Sequence, residues 1–250
     1  QVNIAAGATL DLNGINETIG NLAGAATGSV LLNGGNLTVN QSSPTTFNGG
    51  ISGNGNLIKN GIDTLTLGGT NAYIGTTTVN SGVLSVSGGA AIPDASPVSL
   101  PATGTLDLAA NETIGTLTGS GAITVNTNTI SVGIDNSSTT FPGIISGTTG
   151  GLTKVGTGTL TLTGSNTYGG TTLVSSGTLL ASSVPTSNLL AYYSFDNAGN
   201  LGQDNSGNGN NGTLNGTATS TGAGALNGAL SLPPSGSTSG YLQMPNLAAS

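Results

Sequence analysis

A segment of this chain occurs twice, and the repetition limits the folds that the chain can adopt. Residues 51–84 read ISGNGNLIKNGIDTLTLGGTNAYIGTTTVNSGVL, and residues 145–179 read ISGTTGGLTKVGTGTLTLTGSNTYGGTTLVSSGTL. Lys59 recurs as Lys154 and Tyr73 recurs as Tyr168, so both pairs are 95 residues apart. Motifs at residues 10–12 and 16–20 return at residues 106–108 and 111–115. A fixed period in sequence indicates structural units that stack on one another.

Short alternating segments predict β-strands throughout the repeated region. The sequence Thr-Leu-Thr-Leu at residues 64–67 and 159–162 places both leucines on one face of a strand and both threonines on the other. Gly-rich and Asn-rich breaks separate these segments every 6–10 residues, and both residue types tolerate the positive φ of tight corners. No segment carries the apolar stripe of an amphipathic helix. The chain is therefore predicted to be all-β.

A solenoid and a sandwich compete as all-β architectures for residues 1–183. Aromatic residues are only 3% of the chain and charged residues only 4%, whereas a sandwich usually has large aromatics in its core and a well-charged exterior. A β-solenoid needs neither, because each rung packs on its neighbours. We expect a right-handed parallel β-helix, the usual hand of parallel crossovers. About four rungs would fill each super-repeat (about 1–93 and 94–183), and about eight rungs would form a rod of roughly 40 Å.

Composition excludes several classes of chemistry. The chain has no Cys, so it forms neither disulfides nor thiolate metal sites, and it has no His, the commonest general base and metal ligand. Two Lys and no Arg leave a net charge of −7, which disfavours binding to nucleic acid and to anionic membranes. No stretch approaches the roughly 20 apolar residues of a membrane span.

The repeated block resembles the autotransporter-associated β-strand repeat of bacterial surface and secreted proteins. The second copy matches that motif at Leu152, Lys154, Gly156, Gly158, Leu160, Leu162, Gly164, Asn166, Tyr168, Gly170, Thr172, Val174, Gly177 and Leu179. The first copy departs from it at Asn60, Ile62 and Asp63, which alters one corner. The resemblance implies a β-helical passenger on the bacterial cell surface or in the extracellular space, without catalytic residues.

Composition changes after residue 183, where residues 184–188 read as a linker. Residues 189–250 resemble the opening of a laminin-G-like, concanavalin-type jelly roll. This resemblance rests on Tyr193-Ser194-Phe195-Asp196, on Asp204-Asn205-Ser206-Gly207-Asn208-Gly209 and on Tyr241-Leu242-Gln243-Met244. A jelly roll needs about eight strands, so this domain is expected to be incomplete and the chain to be a fragment.

Several polar residues are candidates for chemistry. Asp11, Glu17, Asp107 and Glu112 form two equivalent carboxylate pairs, which are suited to glycoside hydrolysis if about 5–10 Å apart. Since an active site seldom occurs twice in one rod, we interpret them as solvated corner residues. No catalytic or cofactor-binding residue is predicted.

The conspicuous cations and aromatics receive structural interpretations as well. Lys59 and Lys154 are the only bases, and we expect solvated ammonium groups with their stems on apolar surface. Tyr73 and Tyr168 are expected to pack at corners rather than to stack on sugars.

Calcium is the one metal that the sequence suggests. Asp196, Asp204 and Asn205 supply the oxygen ligands that Ca²⁺ prefers, and the laminin-G-like resemblance favours a calcium site. Turn formation by Asp and Asn next to Gly explains the same residues.

The sequence thus favours a non-catalytic, extracellular structural or adhesive module, in which a β-helical stalk presents a carbohydrate-binding domain. The expected partners are glycans or other cell-surface molecules. Two alternatives remain: a polysaccharide-degrading β-helix enzyme, and a subunit that self-associates end to end through the unpaired strand edges of its terminal rungs.

Overall fold

The computed structural model describes residues 1–181, Gln203 and residues 211–215, 219–221, 229–231 and 241–243. The chain divides into two compact units, Gln1–Pro185 and Thr186–Ser250. All regular elements among the described residues are β-strands. Within this part of the chain, no helix has the length and apolar character needed to cross a membrane.

The first unit is a parallel β-solenoid of nine rungs. Rungs one to three contain β1 (Val2–Ile4), β2 (Thr9–Asp11), β3 (Glu17–Ile19), β4 (Leu22–Gly24), β5 (Ser29–Leu31), β6 (Leu37–Asn40), β7 (Thr45–Phe47), β8 (Gly50–Asn54) and β9 (Leu57–Asn60). Rungs four to six contain β10 (Thr64–Leu67), β11 (Ala72–Ile74), β12 (Thr77–Val79), β13 (Ser81–Val86), β14 (Val98–Ser99), β15 (Thr103–Leu108), β16 (Glu112–Ile114) and β17 (Leu117–Thr118). Rungs seven to nine contain β18 (Ala122–Thr124), β19 (Thr129–Val132), β20 (Thr139–Phe141), β21 (Ile144–Gly147), β22 (Gly151–Lys154), β23 (Thr159–Leu162), β24 (Thr167–Tyr168), β25 (Thr172–Val174) and β26 (Thr178–Ala181).

Each rung contributes its successive strands to three faces. The first face is one unbroken sheet in the order β1-β4-β7-β10-β13-β15-β18-β21-β24. The second face consists of two sheets, β2-β5-β8-β11 and β16-β19-β22-β25. The third face consists of the sheets β3-β6-β9-β12-β14-β17 and β20-β23-β26. All these pairings are parallel, which confirms the predicted solenoid; its right-handed coil stays a prediction.

Aliphatic side chains from every rung fill the interior. In β10, Leu65 and Leu67 are buried while the intervening threonine is half-buried on the outside, as the alternating pattern predicts. In-register pairing stacks Leu65 on Leu84, Leu84 on Leu106 and Leu106 on Ile123, and none of these four side chains is exposed. Fully burying one such side chain stabilises a fold by roughly 1.5–3 kcal/mol. One continuous apolar column therefore joins the rungs.

Asparagine side chains link successive corners before the third face. Asn16 Oδ1 accepts the Asn36 N–H at 2.9 Å, Asn36 Oδ1 accepts the Asn56 N–H at 3.1 Å, and Asn56 Oδ1 accepts the Thr76 N–H at 2.8 Å. Each acceptor lies 20 residues before its donor, which is one rung. This ladder satisfies backbone N–H groups where the chain turns and no strand partner is available.

The two copies of the repeat lie on different faces of the solenoid. Lys59 of the first copy lies in β9, the third-face strand of the third rung, whereas its counterpart Lys154 lies in β22, the second-face strand of the eighth rung. The period of 95 residues therefore spans a non-integral number of rungs, more than the four expected from the sequence. The estimate of eight rungs is also corrected to nine, because a rung takes only about 20 residues, as the spacing of Leu65 and Leu84 shows.

The described strands of the second unit pair differently. β27 (Thr213–Asn215) pairs with β30 (Tyr241–Gln243), and β28 (Thr219–Thr221) pairs with β29 (Ala229–Ser231). Both pairings are antiparallel. The laminin-G-like jelly roll stays a prediction.

Candidate functional site

The predicted calcium ligands Asp196, Asp204 and Asn205 lie outside the described residues. Among the residues that the structure describes, no group of three or more His, Cys, Asp or Glu side chains is placed to hold a metal ion. The calcium site of the second unit therefore stays a prediction.

The predicted carboxylate pairs are each divided between two faces of the solenoid. Asp11 lies in β2 and Glu17 in β3, while Asp107 lies in β15 and Glu112 in β16. Asp11 Oδ1 accepts the Asn33 Nδ2–H at 2.8 Å, and Asp11 and Glu17 are exposed, as expected of corner residues. Asp107 accepts hydrogen bonds at 2.9 Å from the Ser85 hydroxyl and from the Asn126 amide. These contacts tie neighbouring rungs together.

Glu112 contradicts the expectation of a solvated carboxylate, because only 2% of its surface is exposed. Its Oε1 accepts the Ile92 N–H at 3.1 Å, and its Oε2 has no hydrogen-bond partner. Burial raises the pKa of this carboxyl from 4.5 to about 8; Asp94 adds to the rise, and the backbone hydrogen bonds of Ile92 and Ala91 oppose it. Glu112 is consequently a neutral acid at pH 7.

Asn71 lies at the corner that corresponds to Glu112, two rungs earlier, and its hydrogen bonds show what a side chain at this corner must supply. Asn71 Oδ1 accepts the Ile51 N–H at 2.7 Å, and Asn71 Nδ2 donates to the Ala91 carbonyl at 2.6 Å. An amide thus supplies an acceptor to the rung before and a donor to the rung after. Glu112 can supply the donor only when its carboxyl is protonated.

Both lysines are fully buried, so the expectation of solvated ammonium groups was wrong. Lys59 Nζ donates to the carbonyls of Asn60, Gly61 and Ser81 at 2.9, 2.8 and 3.0 Å. The first two carbonyls belong to the last residue of β9 and to the residue after it, and the third lies 20 residues further on, at the corresponding corner of the next rung. All three ammonium protons are therefore used to join two successive corners.

Lys154 repeats this arrangement at the other copy. Its Nζ donates to Val155, to Gly156 at 2.8 Å and to Ser176 at 3.5 Å. Burial lowers the pKa of Lys59 to about 8 and lowers the pKa of Lys154, while Asp63 and Asp135 respectively oppose the shifts. The cation in the repeat motif thus acts as a corner clamp.

Both repeat tyrosines are packed inside, which confirms their structural interpretation. Tyr73 is 2% exposed and Tyr168 is 3% exposed. Each phenol shares a hydrogen bond with the hydroxyl of a threonine four residues later, Thr77 and Thr172 respectively. Burial raises the pKa of both phenols, so they remain neutral, and neither ring presents a face to a sugar.

The second face is interrupted at the fifth rung. Residues 87–97 connect β13 to β14 without a strand, so that β11 and β16 end their respective sheets. Pro93 and Pro97 lack an N–H and cannot complete a parallel ladder there. Ala91 and Ile92 remain fully buried and fill the core. The sequence contained this signal in its two prolines, but the strand pattern alone did not reveal it.

A pocket of about 400 Å³ lies at this interruption. Residues 72–76 form one wall, and residue 93 with residues 95–97 forms the other. The Ser96 hydroxyl donates to the Gly75 carbonyl and holds the loop against the sheet.

Comparisons with known proteins agree with the repeat pattern. The passenger-associated transport repeat family matches residues 57–86 and 152–181, which run from β9 to β13 and from β22 to β26. The adhesin BmaC autotransporter of Brucella suis biovar 1 (strain 1330) is 37% identical over 189 residues, covering 70% of this chain and 5% of the adhesin. The chain therefore spans about 5% of the length of this curated relative. No solved structure matches the chain.

Each matched segment contains one buried lysine clamp and one buried tyrosine. The repeat of this family is thus, in this chain, a five-strand stretch of solenoid with its own internal polar contacts. The chain carries two passenger-associated transport repeats and is similar, over most of its length, to part of an autotransporter adhesin.

Proposed function

We propose that this chain is a rod segment of an extracellular adhesive passenger, exposed at a bacterial surface. The two repeat matches and the similarity to an autotransporter adhesin support this proposal. The role of the first unit is to hold attached binding surfaces at a distance from the cell, for which a continuous parallel sheet is suited.

The observation that carries this proposal is that the polar side chains of the repeat are used inside the rod. The ammonium groups of Lys59 and Lys154 bind backbone carbonyls, and the phenols of Tyr73 and Tyr168 bind threonines. A polysaccharide-degrading enzyme requires two carboxyl groups that face one cleft. In the described part of this chain, each carboxylate pair is split between two faces, which favours the scaffold.

The test is a binding and turnover comparison with the purified 250-residue chain. We expect saturable binding to glycans or extracellular-matrix proteins on an array, with no release of reducing sugar from a panel of polysaccharides. Turnover that Asp107→Asn abolishes would contradict the scaffold role. The proposal includes a glycan-binding domain in the second unit. A calcium-dependent glycan signal that the Asp204→Asn variant loses would support this domain.

End-to-end self-association is a separate prediction. Sedimentation velocity from micromolar to millimolar concentration distinguishes a growing filament from a single species of constant sedimentation coefficient, and the latter would argue against a filament subunit.

A further inference from the structure

The interruption of the second face leaves β11 with an open edge. β11 pairs with β8 on one side, and no strand among the described residues pairs with its other side. The Ile74 carbonyl accepts the Gly55 N–H, so the backbone N–H and C=O of Ile74 point toward β8. Because successive residues of a strand direct their groups to opposite neighbours, the N–H and C=O of Tyr73 point toward the interruption.

The connecting loop is attached at the two ends of this edge and departs from it between them. At one end the Asn71 N–H donates to the Ala90 carbonyl at 2.9 Å, and at the other the Ser96 hydroxyl donates to the Gly75 carbonyl. Residues 71 to 75 span about 13 Å of extended chain. An extended segment of three or four residues has this length.

The pocket beside this edge is suited to an apolar side chain. Its walls carry Ala72 and Ala95 together with both prolines of the loop, and Ile74, which is 75% exposed, adds apolar surface at its rim. The volume of about 400 Å³ lies within the range of roughly 300–1,000 Å³ typical of ligand pockets.

The surface charge around the pocket indicates which peptide segments would bind there. Both lysines are buried, so the charged side chains at the surface of the described residues are carboxylates. Asp94 is exposed at the tip of the loop that forms the pocket wall. The whole chain carries a net charge of −7. A basic segment is therefore attracted to this site, and an acidic one is repelled.

We propose that this site binds an extended peptide segment with one aliphatic residue between basic residues. Its backbone pairs with β11 at Tyr73, which is strand addition to an open edge, and its aliphatic side chain fills the pocket. The site belongs to the rod alone, so it does not depend on the adhesive role proposed above or on the second unit.

The probes are three labelled peptides with blocked ends: Lys-Thr-Leu-Thr-Lys, the same peptide with Asp in place of Leu, and the same peptide with N-methylated threonines. Fluorescence anisotropy with the full chain reports affinity, and hydrogen exchange reports the Tyr73 amide. We expect the Leu peptide to bind at least about tenfold more tightly than either of the others and to slow exchange at Tyr73.

Two variants test the location. Ala72→Trp places an indole in the pocket from an exposed position, and we expect it to weaken binding of the Leu peptide at least about tenfold. Thr9→Trp, on an exposed position of the same face in the first rung, is the control and leaves binding unchanged, with circular dichroism verifying both folds. Four results would each overturn the proposal: no binding of the Leu peptide at millimolar concentration, equal affinity for the Asp or N-methylated peptide, unchanged exchange at Tyr73, or unchanged binding by the Ala72→Trp variant.

Discussion

Substitution of Glu112 by glutamine tests the account of the corner that follows the interrupted rung. The side-chain amide of the Glu112→Gln variant retains an acceptor for the Ile92 N–H and offers a permanent donor where Oε2 now has no partner. The amide is also neutral at every pH. The substitution therefore removes the ionisation of a buried carboxyl and little else.

The expected magnitude follows from the pKa of this carboxyl in the folded and unfolded chains. Since the pKa is about 8 in the fold and 4.5 in the unfolded chain, the folded state retains a proton that the unfolded state releases between these values. The contribution of the Glu112 carboxyl to the free energy of unfolding is therefore full below pH 4.5 and declines as pH rises toward about 8. At pH 7 the loss is about 3 kcal/mol.

Hydrogen exchange of the Ile92 amide and thermal unfolding by circular dichroism, both from about pH 5 to 9, measure this effect. The unmodified chain should lose protection at Ile92 as pH rises toward about 8, after correction for intrinsic exchange, whereas the Glu112→Gln variant should not show this loss. Glu17→Gln is the matched control, because Glu17 is the repeat equivalent of Glu112 but is exposed; it should change stability by less than about 0.5 kcal/mol. Parallel pH profiles for the unmodified chain and the Glu112→Gln variant would refute the reasoning.

Three further substitutions test other contacts. Lys59→Met keeps an apolar stem but removes the three ammonium hydrogen bonds that join two successive corners, so we expect a loss of about 1–3 kcal/mol with faster exchange near Ser81; unchanged exchange there would disprove the clamp. Gly104→Ala places a Cβ 1.8 Å from the backbone oxygen of Val79 at the end of β12, and its melting temperature should fall far below that of Gly20→Ala, whose Cβ lies 3.5 Å from the nearest atom; equal melting temperatures would show that the rungs are not packed this closely. Tyr73→Phe removes one buried hydrogen bond and should cost about 1 kcal/mol; a stabilised variant would contradict a bonded phenol.

The fold class follows from the sequence because strand alternation and Gly-Asn corners are local signals. In β10 the period-two pattern alone determines which residues are buried. Positive φ at Asn13 and Asn33 likewise agrees with corner chemistry. The scarcity of large aromatics was enough to decide between solenoid and sandwich.

The number of rungs and the face on which each strand lies could not be predicted from the sequence, because the 95-residue repeat does not span a whole number of rungs. The repeat preserves the local contacts of a five-strand stretch, and these contacts are the same on any pair of faces. Only the pairing of β9 with β12 and of β22 with β25 reveals where each copy lies.

The burial of Lys59 and Glu112 was missed for a related reason. Sequence rules place isolated charges in solvent because burying an unpaired charge is costly. Lys59 avoids the cost through carbonyls contributed by two corners, and Glu112 avoids it by protonation. The contacts of Lys59 exist only after the rungs stack. The buried corner of Glu112 is likewise a product of stacking, since Asn71 is buried at the corresponding corner two rungs earlier.

Distances between spin labels on the first face test the central claim that nine rungs form one continuous parallel rod. Thr46, Thr124 and Thr167 lie in one outward-facing register, with four rung spacings from the first to the second and six from the first to the third. At about 4.8 Å per spacing, cysteine-linked labels should lie about 19 Å apart at positions 46 and 124 and about 29 Å apart at positions 46 and 167. The chain contains no other cysteine. Two narrow distributions with this ratio are the predicted result in double electron–electron resonance, and a broad distribution or a 46–167 distance no longer than the 46–124 distance would contradict the continuous rod.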